Sequence, residues 1–183
     1  MRLILERAVR NGPALLDEVA RHMPPSASLK EPDQLHLTCL YVGDVNALAS
    51  EVAGQAGAGR REPIINDLSN FATVAVRDYA SPREEDVVGL AILGSATTPV
   101  VVAGVQPSRQ LLSERGALWN GLLDVIHRAG VERPHDFALA SEVLRLPSPV
   151  WFPHVTLAKG TTLERAMEWK PVKVLLGPLR LHS

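Results

Sequence analysis

Two β-rich segments far apart in the chain, LHLTCLYV (35–42) and WFPHVTLA (151–158), each hold a histidine and a threonine two residues apart. They are His36-Leu37-Thr38 and His154-Val155-Thr156. Side chains alternate along a strand, so positions i and i+2 share a face. Each segment therefore presents a His–Thr pair on one face. It turns Leu35, Leu37 and Cys39, or Val155 and Leu157, to the other. The apolar face has to be buried, and the polar pair has to line whatever stays open.

The surroundings of the two segments match in kind. Residues 2–8 read as a short edge strand, and Leu15, Leu16, Val19 and Met23 lie at helical spacing within 12–23, stopped by Pro24-Pro25. After the first segment, Asp44 is placed to cap a helix with Val45, Leu48, Ala49 and Val52 on its apolar face. Gly54, Gly57 and Gly59 open a flexible stretch to about residue 63. Residues 71–78 and 86–93 read as strands either side of a polar turn at Ser81-Pro82. The pattern then returns. A strand at 98–105 precedes a helix opened by Pro107 and closed by Gly130, with Leu111, Leu118, Leu122, Val125, Ile126 and Ala129 as its stripe. Gly116 and Gly121 weaken that helix by up to about 1 kcal/mol each. A loop over 131–150 leads to the second segment. A short helix at 161–169 and a strand at 171–182, broken at Gly177-Pro178, complete the chain. This is the signature of a degenerate internal duplication. In such a fold the two His–Thr pairs can face each other across a pseudo-twofold cleft.

Composition narrows the function classes. With 183 residues, 19 Lys+Arg against 20 Asp+Glu and a net charge of −1, the chain lacks the basic excess that long nucleic acid demands. No apolar run approaches the roughly 18 residues of a membrane span. The charges in Met1-Arg-Leu-Ile-Leu-Glu6 come too early for a secretory signal. Cys39 is the only cysteine, so no intramolecular disulfide or cysteine-based zinc cluster is expected, and a reducing cytoplasm is the expected home.

Two imidazoles that titrate near neutrality can serve as general base and general acid. In-line displacement at phosphorus needs these on opposite sides, one on the entering and one on the leaving oxygen. Two threonine hydroxyls can donate to the non-bridging oxygens. No metal is required by this arrangement. Chance supplies roughly 0.6 His-x-Ser/Thr tripeptides in a chain of this composition. The weight therefore lies in the matched strand contexts.

The segments DQLHLTCLYVGDV (33–45), VVAGVQPSRQLL (101–112), FPHVTLAKG (152–160) and VKVLLGPLRL (172–181) resemble the 2H phosphoesterases. The nearest branch is the bacterial and archaeal RNA 2′,3′-cyclic phosphodiesterases, often called 2′-5′ RNA ligases. The two His-x-Thr motifs define that family, and both are intact. Cys39 and Tyr41 stand where Leu and Phe are usual, and Trp151-Phe152 where a basic residue often precedes the second motif. The resemblance spans nearly the whole chain. It implies one α+β domain over 1–183, a bilobal duplicated fold with two antiparallel sheets flanking a central cleft and helices on the outer faces. It implies a phosphodiesterase that needs neither metal nor cofactor. Its catalytic residues would be His36 and His154, and its phosphate-binding residues Thr38 and Thr156. By analogy His154 would activate water and His36 would protonate the leaving 3′ oxygen, giving a 2′-phosphate. The opposite assignment would give a 3′-phosphate.

The expected substrate is an RNA end bearing a cyclic phosphate, or a small cyclic nucleotide. No long duplex and no membrane is expected as partner, and a monomer is expected. Two alternatives keep the same site. One is hydrolysis of cyclic oligonucleotide signals or 2′-5′ oligonucleotides. The other is a nucleotide- or RNA-end-binding module without turnover.

Further residues have two readings each. Phe152 shares the parity of His154 and can stack on a base or pack in the core. Lys159 can neutralise phosphate or simply end its strand in solvent. Tyr41 and Trp151 have core parity, and Cys39 reads as a small buried hydrophobe. His22, His127 and His182 are expected at element ends or on the surface, outside the chemistry. His135-Asp136 reads as ordinary loop polarity. The glycines at 54, 57 and 59 follow a helix rather than a strand, which excludes a dinucleotide loop.

Overall fold

Alternating burial marks the strand β1 (Arg2–Val9), where Leu3, Leu5, Arg7 and Val9 are buried on one parity. A computed structural model of the chain describes residues 2–57, 60–144, 151–163 and 169–182. After β1 come α1 (Gly12–Ala20), a 3-10 turn (Pro32–Gln34), β2 (His36–Asp44), α2 (Val45–Ala56) and α3 (Arg61–Asp78). The hairpin β3 (Arg83–Ser95) and β4 (Thr98–Gln106) follows, then α4 (Arg109–Arg128) and α5 (Pro134–Ala140). The strands β5 (His154–Lys159) and β6 (Val172–Leu181) end the fold.

All neighbouring strands are antiparallel, in the closed order β1-β2-β5-β4-β3-β6. The expected two sheets are thus two halves of one closed sheet, β6-β1-β2 and β5-β4-β3. They join firmly on one side, where Arg83 to Val87 pair with Leu176 to Val172. On the other side a single pair, Leu37 with Val155, closes the ring. Closure also corrects the reading of β1 as an edge strand: it pairs with β2 and with β6, and a closed sheet has no edge.

Helices α2 and α4 pack against β2, and α1 and α3 against β6. Asp44 caps α2 by accepting from the Ala47 amide at 2.8 Å. Ser108 caps α4 from Leu111, one residue after Pro107.

The chain is helical at 71–78, where a strand was expected. Ile64, Leu68, Ala72 and Ala75 form a helical stripe that starts before the β-rich run FATVAV, and Val74 of that run is left 44% exposed. Packing decides in favour of the longer period. Phe71 of this helix explains Gly121 of α4: a Cβ there would lie 2.6 Å from the Phe71 ring. The glycine costs helix propensity and permits the close approach of α3 to α4. The expected loop over 131–150 contains α5, whose Pro134 sits in the first turn and whose Phe137 and Ala138 are buried. Residues 164–168 of the expected 161–169 helix lie outside the described residues, and 161–163 and 169–170 are not helical. The last strand runs unbroken through Gly177-Pro178, with only a register shift against β1.

Arg7 ties these elements together. It is fully buried, and its five N–H groups all donate. Two reach Glu114 of α4 at 2.9 and 2.7 Å. The others reach the carbonyls of Ser81, Gly177 and Tyr79.

Candidate active site

The alternation expected of the two motifs is present. Leu37 and Val155 are completely buried, while His36, Thr38, His154 and Thr156 are half-buried. Both imidazoles are anchored in the same way. Nδ1 of His36 lies 3.0 Å from the carbonyl of Gln34, and Nδ1 of His154 lies 2.8 Å from that of Phe152. A carbonyl can only accept, so each Nδ1 carries the proton and each Nε2 is left for chemistry. The backbone just before each strand thus sets the tautomer of the ring at its start.

The Leu37–Val155 pair fixes how the motifs meet. In an antiparallel register it sets His36 beside Thr156 and Thr38 beside His154. Pairing with the outer strands completes the frame: Glu6 is opposite Thr38 and Ala8 opposite His36, as Val102 is opposite Thr156 and Gly104 opposite His154.

The frame is symmetric and its chemistry is not. Glu6 is 1% exposed, and its Oε2 lies 3.5 Å from Nε2 of His36. Oε1 accepts from Nε and Nη2 of Arg180 at 3.1 and 2.9 Å, and Oε2 from Nδ1 of His182 at 2.6 Å. The His36 and His182 rings are 5.4 Å apart. Burial pushes the proton affinity of His36 below the ordinary imidazole value, and the Glu6 charge and the Gln34 carbonyl oppose it. Lys30 and His182 add smaller depressions. Glu6, His36 and His182 offer three ligand atoms within 4.8 Å of one another, close enough for a divalent cation. Both carboxylate oxygens are already engaged by Arg180 and His182, so the cluster is built as a hydrogen-bonded ion network.

Sequence reasoning missed Glu6 and set His182 aside as a terminal histidine. The signal was there: Glu6 and Arg7 are adjacent charges in the strand RLILERAV, so both faces of β1 must carry one. Lys30 was missed too. The loop before β2 is bound to β5 through the Lys30 amide and the Leu157 carbonyl at 2.8 Å, beside a Leu29–Ala158 bridge. Burial and the nearby Lys159 lower the Lys30 proton affinity, while Glu6 raises it. Lys30 therefore lies within electrostatic reach of His36 and Glu6, and of the exposed Lys159.

A cavity of about 420 Å³ opens beside the seam, with Thr38 and His154 in its wall. Phe152 stacks on His154, with centroids 5.7 Å apart and planes 24° apart, and is 48% exposed. Tyr41 and Trp151, expected in the core, line this cavity instead. The strands separate beyond their one pair, and Trp151 fills part of the gap by donating Nε1–H to the Thr38 carbonyl at 3.2 Å. Cys39 is 1% exposed, and burial pushes its thiol up to about 12. His22 is buried against Trp169 rather than on the surface. His127 bonds the Val131 carbonyl. His135 and Asp136 are exposed in the first turn of α5.

No protein-family model matches the sequence, and no curated protein matches it. Solved structures do. A crystal structure of a phosphoesterase aligns with a TM-score of 0.53 at 16% identity, covering 99% of this chain and 96% of that one. TT0787 of Thermus thermophilus aligns at 0.53 and 20% identity, covering 99% and 84%. The apo form of E. coli LigT aligns at 0.52 and 16% identity, covering 99% and 92%. At these identities the likeness is one of fold, and it runs the length of the chain. The chain shares the fold of these phosphoesterase and LigT structures, in line with the α+β fold expected from the resemblance.

Proposed function

We propose that the chain is a phosphodiesterase that opens 2′,3′-cyclic phosphates at RNA ends or on small nucleotides, using His36 and His154 and no metal. The observation that carries this reading is the matched anchoring of the two rings. Each is held through Nδ1 by the carbonyl two residues earlier, which turns both Nε2 atoms away from the backbone at one seam, that of His36 with the Glu6 carboxylate 3.5 Å away.

In the proposed step, Nε2 of His154 takes a proton from water as its oxygen bonds to phosphorus. The bond from phosphorus to the 3′ oxygen breaks, and Nε2–H of His36 protonates that oxygen. One water is consumed and a 2′-phosphate is left. Thr38 and Thr156 donate to the non-bridging oxygens, and Lys30 and Lys159 offset the charge on them. Burial lowers the proton affinity of His36, and Glu6 partly offsets this by supporting the protonated ring that the acid role requires. His154 has no ion pair among the described residues, which suits the base.

The test is hydrolysis of a short RNA ending in a 2′,3′-cyclic phosphate, in EDTA, beside the His36→Ala/His154→Ala double variant. Opening by the native chain alone supports the reading, and a 2′-phosphate product supports the acid and base roles. A double variant as active as the native chain overturns it. Failure of the native chain to open the ring, with cleavage of a 2′-5′ linkage instead, would keep the site and change the substrate.

A further inference from the structure

The cavity beside the seam is lined both by Thr38 and His154 of the proposed catalytic centre and by Arg115 and Trp119 of α4. The Arg115 guanidinium lies over the Trp119 ring, 5.4 Å from its centroid. Its Nε is buried and has no hydrogen-bond partner among the described residues. Burial lowers its proton affinity. A partly buried guanidinium whose Nε has no partner, and with no carboxylate paired to it among the described residues, is costly unless an anion arrives. The contrast with Arg7 is direct, since that arginine has every donor satisfied and Glu114 at its side. Arg83 also has a buried Nε without a partner among the described residues, but Glu114 lies 3.6 Å from its Nη2.

We propose that Arg115 is a second anion-binding subsite, which takes a phosphate one nucleotide position away from the reacting phosphodiester. The substrate class is then an RNA end, or a nucleoside 2′,3′-cyclic phosphate that also carries a 5′-phosphate, rather than a bare nucleoside cyclic phosphate. The size fits: about 420 Å³ falls in the range of small-molecule pockets and is roomy enough for a nucleoside between two anion sites. Trp151 and Phe152 line the same cavity and supply flat apolar surface on which a base can stack. Guanidinium and phosphate are matched in geometry, and the charge-assisted bonds they form are strong. The identity of the reacting group rests on the reading above; the anion subsite rests on the cavity and Arg115.

The experiment compares adenosine 2′,3′-cyclic phosphate with its 5′-phosphorylated form, for the native chain, Arg115→Met and Arg115→Lys. The native chain is expected to prefer the 5′-phosphorylated substrate by about tenfold in kcat/KM, carried by KM. Arg115→Met is expected to lose that preference and Arg115→Lys to keep part of it. No preference in the native chain, or an equal preference in native and Met variant, overturns the proposal. Calorimetric binding of adenosine 5′-monophosphate to the same proteins separates the two readings. If no cyclic phosphate is opened but binding is lost in Arg115→Met, the subsite stands and the proposed reaction falls. If native and variant bind equally, the subsite falls. Should Arg115→Met fail to fold, competition by adenosine 5′-monophosphate against hydrolysis by the native chain decides, and absence of competition overturns the subsite.

Discussion

Glu6 faces His36 across 3.5 Å, and the matching position on the other half of the sheet is Val102, opposite Thr156. A carboxylate on one side and an isopropyl group on the other divide two otherwise equivalent histidines. Replacing Glu6 by Gln keeps the shape and removes the charge that opposes burial of His36. With His36 as the acid, the alkaline limb of kcat/KM lies below the ordinary imidazole value of 6.5. In Glu6→Gln it moves to still lower pH, because the protonated ring loses its support. A pH–rate profile of both proteins measures this. An unmoved alkaline limb would separate Glu6 from the chemistry.

Removing either proton carrier should be costly. His36→Ala and His154→Ala are each expected to lose at least about 10²-fold in rate on a cyclic-phosphate RNA end. Thr38→Val removes one donor and keeps the shape, so its loss is expected to be smaller. Single-turnover rates at saturating enzyme test the order of the three.

Stability should depend on the buried pair of Arg7 and Glu114. Glu114→Gln breaks the buried pair with Arg7 (side chains 0% and 1% exposed) and leaves a guanidinium without its counter-charge. Breaking such a pair costs about 3–5 kcal/mol. Urea denaturation followed by circular dichroism reads the shift in midpoint. A midpoint unchanged from the native chain would count against this account of the core.

Cys39 lies in the wall of the seam cavity yet is 1% exposed, with its thiol pushed up to about 12. Only the thiolate alkylates readily. Iodoacetamide at pH 8 is expected to leave the native chain unmodified and to label it fully in denaturant. Mass spectrometry distinguishes the two. Rapid labelling of the native chain would mean that the cavity exposes the thiol.

Local periodicity carried much of this structure. The parity of His36 and Thr38, and of His154 and Thr156, follows from a period of two, and it survives folding because Leu37 and Val155 must be buried. The Asp44 cap was legible because it needs only three residues. What was misread depends on distance in sequence. FATVAV looks like a strand until Ile64 and Leu68, outside that window, join its stripe. Closure needed β3 to find β6, a pairing that no local pattern announces. Glu6 and His182 reach His36 only because β1 stands between β2 and β6. Tyr41 and Trp151 left the core because the strands part there after one pair.

That single pair has a consequence for cohesion. The ring of strands resembles a bound book, with the β3–β6 ladder as its spine and Leu37–Val155 as the single ladder pair between β2 and β5 where its covers meet. On the proposed reading, a phosphate held by Thr38 and Thr156 would be a clasp across that opening, adding bonding between the halves, so that occupancy and resistance to unfolding would rise together.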